Sequence, residues 1–241
     1  MGIAKAGRIE VSVIIPTYNE EKYIGAVLSS LEQQKYDRPY EVIIGDGESK
    51  DNTVKICRDY GARVIVEKYG TPSGGRHAAA SAARGRIIAF TGADVEVASD
   101  WLEKVTEPFK EDKNITWVLG SVTPLDGTWL DNFLVLFLAP IAVLMNGIGF
   151  PYVYAENMVC TAKAYKKSGG FNPELITGED TEFATRLRKT GRYKYVYQAN
   201  VRVSMRRVRK WGYWKYVTFH TGNFIGTHFL KRPGKHYDPV R

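Results

Sequence analysis

The chain has 241 residues, 44% of them hydrophobic and 25% charged, enough apolar material for a sizeable core and too much for a disordered or fibrous class. The formal net charge is +8, and acidic residues nearly vanish after Glu182, so the basic end suits an anionic partner: a nucleotide phosphate, a phospholipid surface or a nucleic acid. Cys57 and Cys160 lie far apart without metal spacing, which excludes a disulfide framework and fits a reducing compartment, and residues 1–10 carry no apolar secretory core.

Residues 11–15 are β-prone and mostly apolar, a run suited to a strand covered on both faces; Pro16, with no N–H for the ladder, is expected to stop it. Asn19 reads as an N-cap, Glu20 and Glu21 as first-turn acids, and Ile24, Val27, Leu28 and Leu31 follow at helical spacing. The loop 16–20 therefore lies at the carboxyl end of the first strand, the edge where open α/β sheets bind ligands. Residues 41–45 read as a second strand running into Asp46-Gly-Glu-Ser-Lys-Asp51, with Asp51 placed to cap a helix that reaches Tyr60 and stops at Gly61. A third strand covers 63–67, a flexible loop 69–75 and an Ala-rich helix 76–83. A fourth strand, 86–91, ends at Gly92-Ala-Asp-Val-Glu96; Ser99 or Asp100 caps a helix to about Lys110, and 115–120 is a further strand. This alternation predicts a mostly parallel, layered α/β sheet.

The texture then changes, with no charge from Asn132 to Ala155. The apolar core of that run, 133–145, is shorter than the ~20 residues a spanning helix needs and contains Pro140, so it fits a buried helix or a segment lying on a membrane. Residues 157–161 read as a strand, 168–173 as a turn, and Thr177-Gly-Glu-Asp-Thr-Glu182 opens a helix ended by Gly191. Strands at 193–197 and 201–205 follow, and 206–231 is aromatic, basic and partly helical.

Asp46, Asp94 and the pair Glu179–Asp180 fall at strand ends or at the start of a helix, positions that share one edge of a parallel sheet. Carboxylates flanked by glycines there suit a divalent cation and a phosphorylated ligand. Taken in order, Val13-Ile-Ile-Pro-Thr-Tyr-Asn-Glu-Glu21, Asp46-Gly-Glu-Ser-Lys-Asp-Asn-Thr53, Gly75-Arg76 with Ala83-Arg-Gly-Arg-Ile-Ile-Ala-Phe90, Gly92-Ala-Asp94, and Gly170-Phe171 with Gly178-Glu-Asp180 make the chain resemble a family-2 glycosyltransferase of the GT-A fold. The resemblance covers about residues 9–191.

The resemblance implies a Rossmann-like sheet flanked by helices, with a helical, aromatic C-terminal part. It implies an inverting enzyme that moves a sugar from a UDP- or GDP-sugar to an acceptor hydroxyl; the uncharged run 132–155 and the basic aromatic residues 202–216 add the expectation of a lipid-linked acceptor at a membrane surface, the alternative being a sugar acceptor. On the resemblance, Pro16, Thr17, Tyr18 and Glu20 contact the nucleoside, Asp46 the base and Arg76 the diphosphate. Ala93 and Asp94 stand at the Asp-x-Asp motif, Asp94 binding Mg²⁺ or Mn²⁺, and Asp180, beside Glu179, is the catalytic base. Some enzymes of this fold recruit a late histidine to the metal, which makes His220, with His228 near it, a candidate ligand. Residues 1–200 are expected as the catalytic domain, with a nucleotide-sugar half to about 120 and an acceptor half beyond, and 201–241 as a basic aromatic extension packed on it.

The chain departs from the pattern at Gly92, which replaces the first acid of Asp-x-Asp and leaves Glu96 as a substitute. Arg206-Arg-Val-Arg-Lys-Trp211 is only a loose echo of the Gln-x-x-Arg-Trp of processive synthases. The alternative is a nucleotide-sugar-binding domain with little or no turnover. A dinucleotide oxidoreductase is set aside because the first βα turn lacks Gly-x-Gly-x-x-Gly, and nucleic acid is not an expected partner. Mixed basic and aromatic residues, Arg202 to Tyr216, favour an anionic interface, so the expected location is cytoplasmic, including peripheral contact with the cytoplasmic membrane face.

Overall fold

The structure, a computed structural model, describes residues 7–227; His228 and the last part of the expected C-terminal extension, 228–241, lie outside the described residues. Its centre is one eight-stranded sheet with the order β3-β2-β1-β4-β7-β6-β8-β5. The first half is parallel: β1 (Val11–Thr17) lies between β2 (Tyr40–Asp46) and β4 (Ile87–Phe90), and β3 (Arg63–Val66) flanks β2. Side chains alternate along β1 with period two, and both sets are buried. Val11, Val13 and Ile15 pack with Ile24, Val27, Leu28 and Leu31 of α1 (Ile24–Glu32) and Cys57 of α2 (Thr53–Asp59). Ile14 packs on the other face with Ala79 and Ala80 of α3 (Pro72–Ser81).

Three local expectations are corrected here. Pro16 does not stop β1, which pairs through Thr17. The Ile14 carbonyl accepts the Thr91 N–H, and residue 16 faces the same side two positions on, where pairing with β4 has ended, so its missing donor costs no ladder bond. Helix α3 starts four residues earlier than Arg76, because Thr71 accepts the Gly74 N–H as N-cap and Pro72 at N1 is pre-set for the first turn. The helix expected to run to Lys110 is split into α4 (Trp101–Thr106) and α5 (Pro108–Glu111), with Pro108 at the break.

The second half of the sheet is mixed. After β6 (Ile115–Pro124) the chain makes a long excursion and returns as β7 (Met158–Thr161), which inserts antiparallel between β4 and β6. The two strands expected at 193–197 and 201–205 are one, β8 (Arg192–Val203), parallel to β6 and running across residue 200. Its register jumps from Gly120↔Val196 to Ser121↔Asn200. Asn157 fills the bulge: its amide donates to the carbonyls of Ser121 and Ala199 at 2.7 and 2.8 Å and its oxygen accepts the Trp101 indole N–H at 2.9 Å. A strand too short to see in sequence, β5 (Val95–Val97), pairs antiparallel with β8 at the edge.

The uncharged run lies within α6 (Trp129–Ile148) and the segment after it, and Pro140 stands inside that helix. Thr128 and Asp131 close a capping box at its start, and Gly149, at φ +101°, ends it. The remaining helices are α7 (Ala162–Ser168), α8 (Glu179–Leu187), α9 (Arg206–Trp211) and α10 (Tyr213–Ile225). α8 is continued by a 3₁₀ turn to Thr190 before Gly191.

Helix α3 reaches the sheet because two glycines meet. A Cβ on Gly45 would stand 2.0 Å from the Gly75 carbonyl oxygen, and one on Gly75 would stand 2.9 Å from Pro16 Cβ. The same contact sets the position of the next residue, Arg76. Gly45→Ala is expected to destabilise the fold by about 3 kcal/mol, since backbone on both sides cannot give way. Urea unfolding checks this: an unchanged midpoint would mean that helix and strand are not in backbone contact.

Candidate active site

The loops after β1 and β2 are stitched together at the carboxyl edge of the sheet. The Asn19 N–H donates to Ser49 Oγ at 2.8 Å, the Lys50 N–H to Asn19 Oδ1 at 2.7 Å, and the Glu20 N–H to Thr53 Oγ1 at 2.7 Å. Asn19 is therefore not a helix cap: it sits at φ +54°, α1 starts at Ile24, and its side chain serves the neighbouring loop. Asp46, 1% exposed, accepts the hydroxyl of Thr17 at 2.9 Å and both the N–H and hydroxyl of Ser49 at 2.9 and 2.6 Å. Its carboxylate shapes the loop from inside. Thr17 is buried with it and Tyr18 is exposed, and a shallow cleft lined by Asn19, Glu21, Lys22, Tyr23, Lys50 and Asp51 opens beside them.

Arg76 projects from α3 toward the first turn of α8. Its Nη1 meets Glu179 Oε1 at 2.8 Å, its Nη2 meets Glu156 Oε1 at 3.5 Å, and its Nε is buried with no hydrogen-bond partner among the described residues. Gly178, at φ +68°, turns the chain into α8 and sets Glu179 and Asp180 at its start. Asp180 Oδ1 accepts the Thr181 N–H at 2.7 Å. Burial raises the pKa of both carboxyls above the ordinary range; for Asp180 the charges of Glu179 and Glu156 add to the rise, whereas for Glu179 the Arg76 guanidinium opposes it. Tyr152 and Tyr154, whose hydroxyls lie 3.4 Å apart, feel the Asp180 charge as well, and burial is the main cause of their raised pKa values.

Asp94 lies in the turn from β4 to β5; the neighbouring Ala93 packs into the core. Asp94 Oδ2 receives Arg206 Nε at 2.7 Å, and Arg206 Nη2 reaches Glu20 Oε1 at 2.7 Å. The guanidinium also stacks over the Tyr23 ring at 4.3 Å. Burial works against this charge, but Glu20 and Asp94 outweigh it and hold the pKa above its usual value. A Cβ on Gly92 would touch Glu156 Cγ at 3.3 Å and Asp94 Oδ1 at 3.5 Å, so Glu156 fills the space beside the position where the first acid of the motif is missing.

The structure thus brings Thr17 to Asp46, Glu20 to Asp94, and Arg76 to Glu179 with Asp180 next in the chain, but joins neither Glu96 nor His220 to Asp94. Glu96 pairs with Arg202 at 3.3 Å. His220 lies against Tyr216, ring centroids 4.3 Å apart, and burial together with Arg207 pushes its pKa down to about 4. No described contact joins it to Asp94. Arg206, Glu156, Tyr152 and Tyr154 were not found from sequence as site residues; Arg206 stood out only as the start of the loose Arg-Trp echo and as one of the basic residues of the expected anionic interface. Among the described residues no cluster of three His, Cys, Asp or Glu side chains is placed to hold a metal ion. The two carboxylates that do converge, Glu20 and Asp94, already share a guanidinium, so this donor set does not fit a divalent cation.

The family model for glycosyl transferase family 2 matches residues 12–141. A poly(ribitol-phosphate) β-N-acetylglucosaminyltransferase, TarS, of Staphylococcus aureus is 28% identical over 182 residues, covering 73% of this chain. This chain spans only 32% of that relative's length. A dolichyl N-acetyl-α-D-glucosaminyl phosphate 3-β-D-2,3-diacetamido-2,3-dideoxy-β-D-glucuronosyltransferase of Methanococcus voltae is 28% identical over 202 residues, 75% of this chain and 62% of that one. Among solved structures, the mannosyltransferase PcManGT of Pyrobaculum calidifontis, in complex with GDP-Man and Mn²⁺, superimposes with a TM-score of 0.67 at 23% identity, covering 96% of this chain and 67% of that one. The mixed α/β sheet flanked by helices is therefore the GT-A fold.

The raised pKa values have a consequence for stability. A carboxyl whose folded pKa exceeds its unfolded value contributes most below the unfolded pKa, and that contribution is lost as pH rises through the folded pKa. Asp180→Asn is therefore expected to raise the melting temperature at pH 8–9 relative to the native chain, with a smaller gain near pH 4. Thermal unfolding across that range checks it; a loss at alkaline pH would mean that the buried carboxylate stabilises the fold.

Proposed function

The chain belongs to glycosyl transferase family 2, and we propose that it moves a sugar from a UDP- or GDP-sugar to an acceptor hydroxyl with inversion at the anomeric carbon. The observation that carries this is the grouping of Arg76, Glu179 and Asp180 at the sheet edge where the loops after β1 and β2 also end. In this reading the acceptor oxygen bonds to the anomeric carbon as the bond from that carbon to the diphosphate oxygen breaks. The acceptor proton passes to Asp180, and the leaving electron pair stays on the diphosphate. A carboxyl with a raised pKa is a stronger base once ionised, which suits this task. Glu179 holds Arg76, and Arg76 offers its buried Nε–H toward the developing charge. Tyr18 and the cleft beside Asn19 and Tyr23 receive the nucleoside, over a loop whose shape Asp46 maintains.

Mn²⁺ accompanies the nucleotide sugar in the Pyrobaculum structure, yet the carboxylates here do not form its site, so no step is routed through a metal. The test is release of UDP or GDP from UDP-GlcNAc, UDP-glucose and GDP-mannose. The native chain is expected to release nucleotide from one of them, and Asp180→Asn to lose roughly 10²–10⁴-fold in rate while binding nucleotide unchanged. Binding without release in both proteins would instead favour a nucleotide-sugar-binding domain without turnover.

The acceptor class has its own observation. Helix α6 turns Trp129, Phe133, Phe137, Ile141, Leu144 and Ile148 outward at helical spacing, Trp129 80% and Leu144 63% exposed. Trp214 on α10 is 85% exposed, and Arg207 and Lys215 lie over the ring of nearby Trp211. An aromatic and aliphatic stripe with basic residues near it fits an anionic lipid surface, and the Methanococcus relative is named for a lipid-linked substrate. No helix among the described residues is long and apolar enough to cross a membrane, so the contact would be along the helix face. Co-sedimentation with phosphatidylglycerol vesicles at low salt is expected for the native chain and reduced for Phe133→Glu/Phe137→Glu; equal sedimentation of both proteins would exclude α6 as the contact.

A further inference from the structure

Resting on the nucleotide-sugar reading, we propose that Arg206 supplies the positive charge which the resemblance assigned to a divalent cation, so that a nucleoside diphosphate binds here without metal. Three observations lead to it. First, the position is filled. Arg206 joins Asp94 and Glu20 at 2.7 Å each and lies over the Tyr23 ring, so both carboxylates that face a cation there already have one.

Second, the position is built into the sheet. β5 pairs with β8 through Val95↔Val203, and the Ser204 N–H donates to the Asp94 carbonyl at 3.0 Å. Arg206 follows two residues later. The Met205 N–H is held by Asp126 Oδ1 at 2.8 Å, the Arg209 guanidinium binds the same Asp126, and Val208 is buried. A side chain anchored on both sides by the ladder, the Asp126 contacts and the core is a fixed fitting and not a swinging arm.

Third, the guanidinium is not saturated. Its Nη1 is buried and has no hydrogen-bond partner among the described residues, the same condition as Nε of Arg76. Two buried arginine donors left over at one sheet edge match an anion with several oxygens, which a diphosphate is. Gly92 fits the same picture. The first acid of the motif is absent there, and its place is bordered instead by Glu156, which Arg76 already serves.

The test titrates UDP and GDP into metal-stripped native protein in EDTA and again with Mn²⁺, by calorimetry, with bound manganese followed by electron paramagnetic resonance. One of the two diphosphates is expected to bind in EDTA, with less than about a twofold change on adding Mn²⁺ and no protein-bound manganese signal. Arg206→Gln should lose roughly tenfold in affinity in EDTA, as for one charged hydrogen bond, and recover on adding Mn²⁺ because Glu20 and Asp94 are released to bind it. Arg206→Lys should keep most of the metal-free affinity. Binding by the native chain only with Mn²⁺, together with a bound manganese signal, overturns the proposal while leaving the nucleotide-sugar reading intact. Absence of binding by either diphosphate under both conditions overturns both.

Discussion

Two guanidinium groups hold together the carboxylates gathered at one edge of the sheet, and the site depends on that pairing. Arg206 joins Glu20 and Asp94 from the loops after β1 and β4; Arg76 joins Glu179 and Glu156 from α8 and the 3₁₀ turn before β7. Each carboxylate comes from a different stretch of chain, so each arginine is also a cross-link between segments far apart in sequence. Removing one partner from such a pair leaves a buried charge uncompensated, which is far more costly than the pair itself is stabilising. Asp180 has no arginine of its own in the described contacts. It meets the same constraint by a different route, a raised pKa that keeps it neutral over more of the pH range.

What could be read from sequence follows the range of the interactions. The motifs after β1, β2 and β4 and at the start of α8 are local: a strand end, a glycine or proline and an acid within a few residues. Their placement on one edge follows from the alternation of strands and helices alone. The partners that complete the site are not local. Glu156 reaches Arg76 only because β7 inserts between β4 and β6, and Arg206 reaches Asp94 only because the three-residue β5 pairs with β8. Neither pairing has a period or a turn signature in the sequence. Asn19 and Pro16 failed for a related reason, since each obeys a partner across a loop or strand in place of its own propensity.

The uncharged run shows a second limit. Composition could not separate a core helix from a surface-lying one, because both are apolar. The difference lies in which side of α6 has a partner: Asn146 turns inward to the carbonyls of Ala142 and Tyr152, and Asp131 accepts the Tyr213 hydroxyl, while Phe133, Phe137 and Ile141 face out. Helical spacing places the outward set on one stripe, but only the fold shows that nothing described covers it.

A site that is already paired changes what ligand binding means. On the proposed reading, a diphosphate entering beside Arg76 and Arg206 meets guanidiniums that are oriented and desolvated before it arrives, so little reorganisation remains. The anion gains only the difference between its own contacts and those the carboxylates already make. Where the leaving group acquires charge in the transition state, that difference grows, because the orphaned N–H donors of both arginines strengthen with the charge they face while the carboxylate contacts stay constant. If the proposed transfer takes place here, pairing of this kind limits ground-state affinity and directs the remaining interaction to the charge that develops as the sugar leaves. The electrostatic cost of assembling the acids is met during folding, through β5, β8 and the α3 contact, and the reacting molecule meets a field already in place.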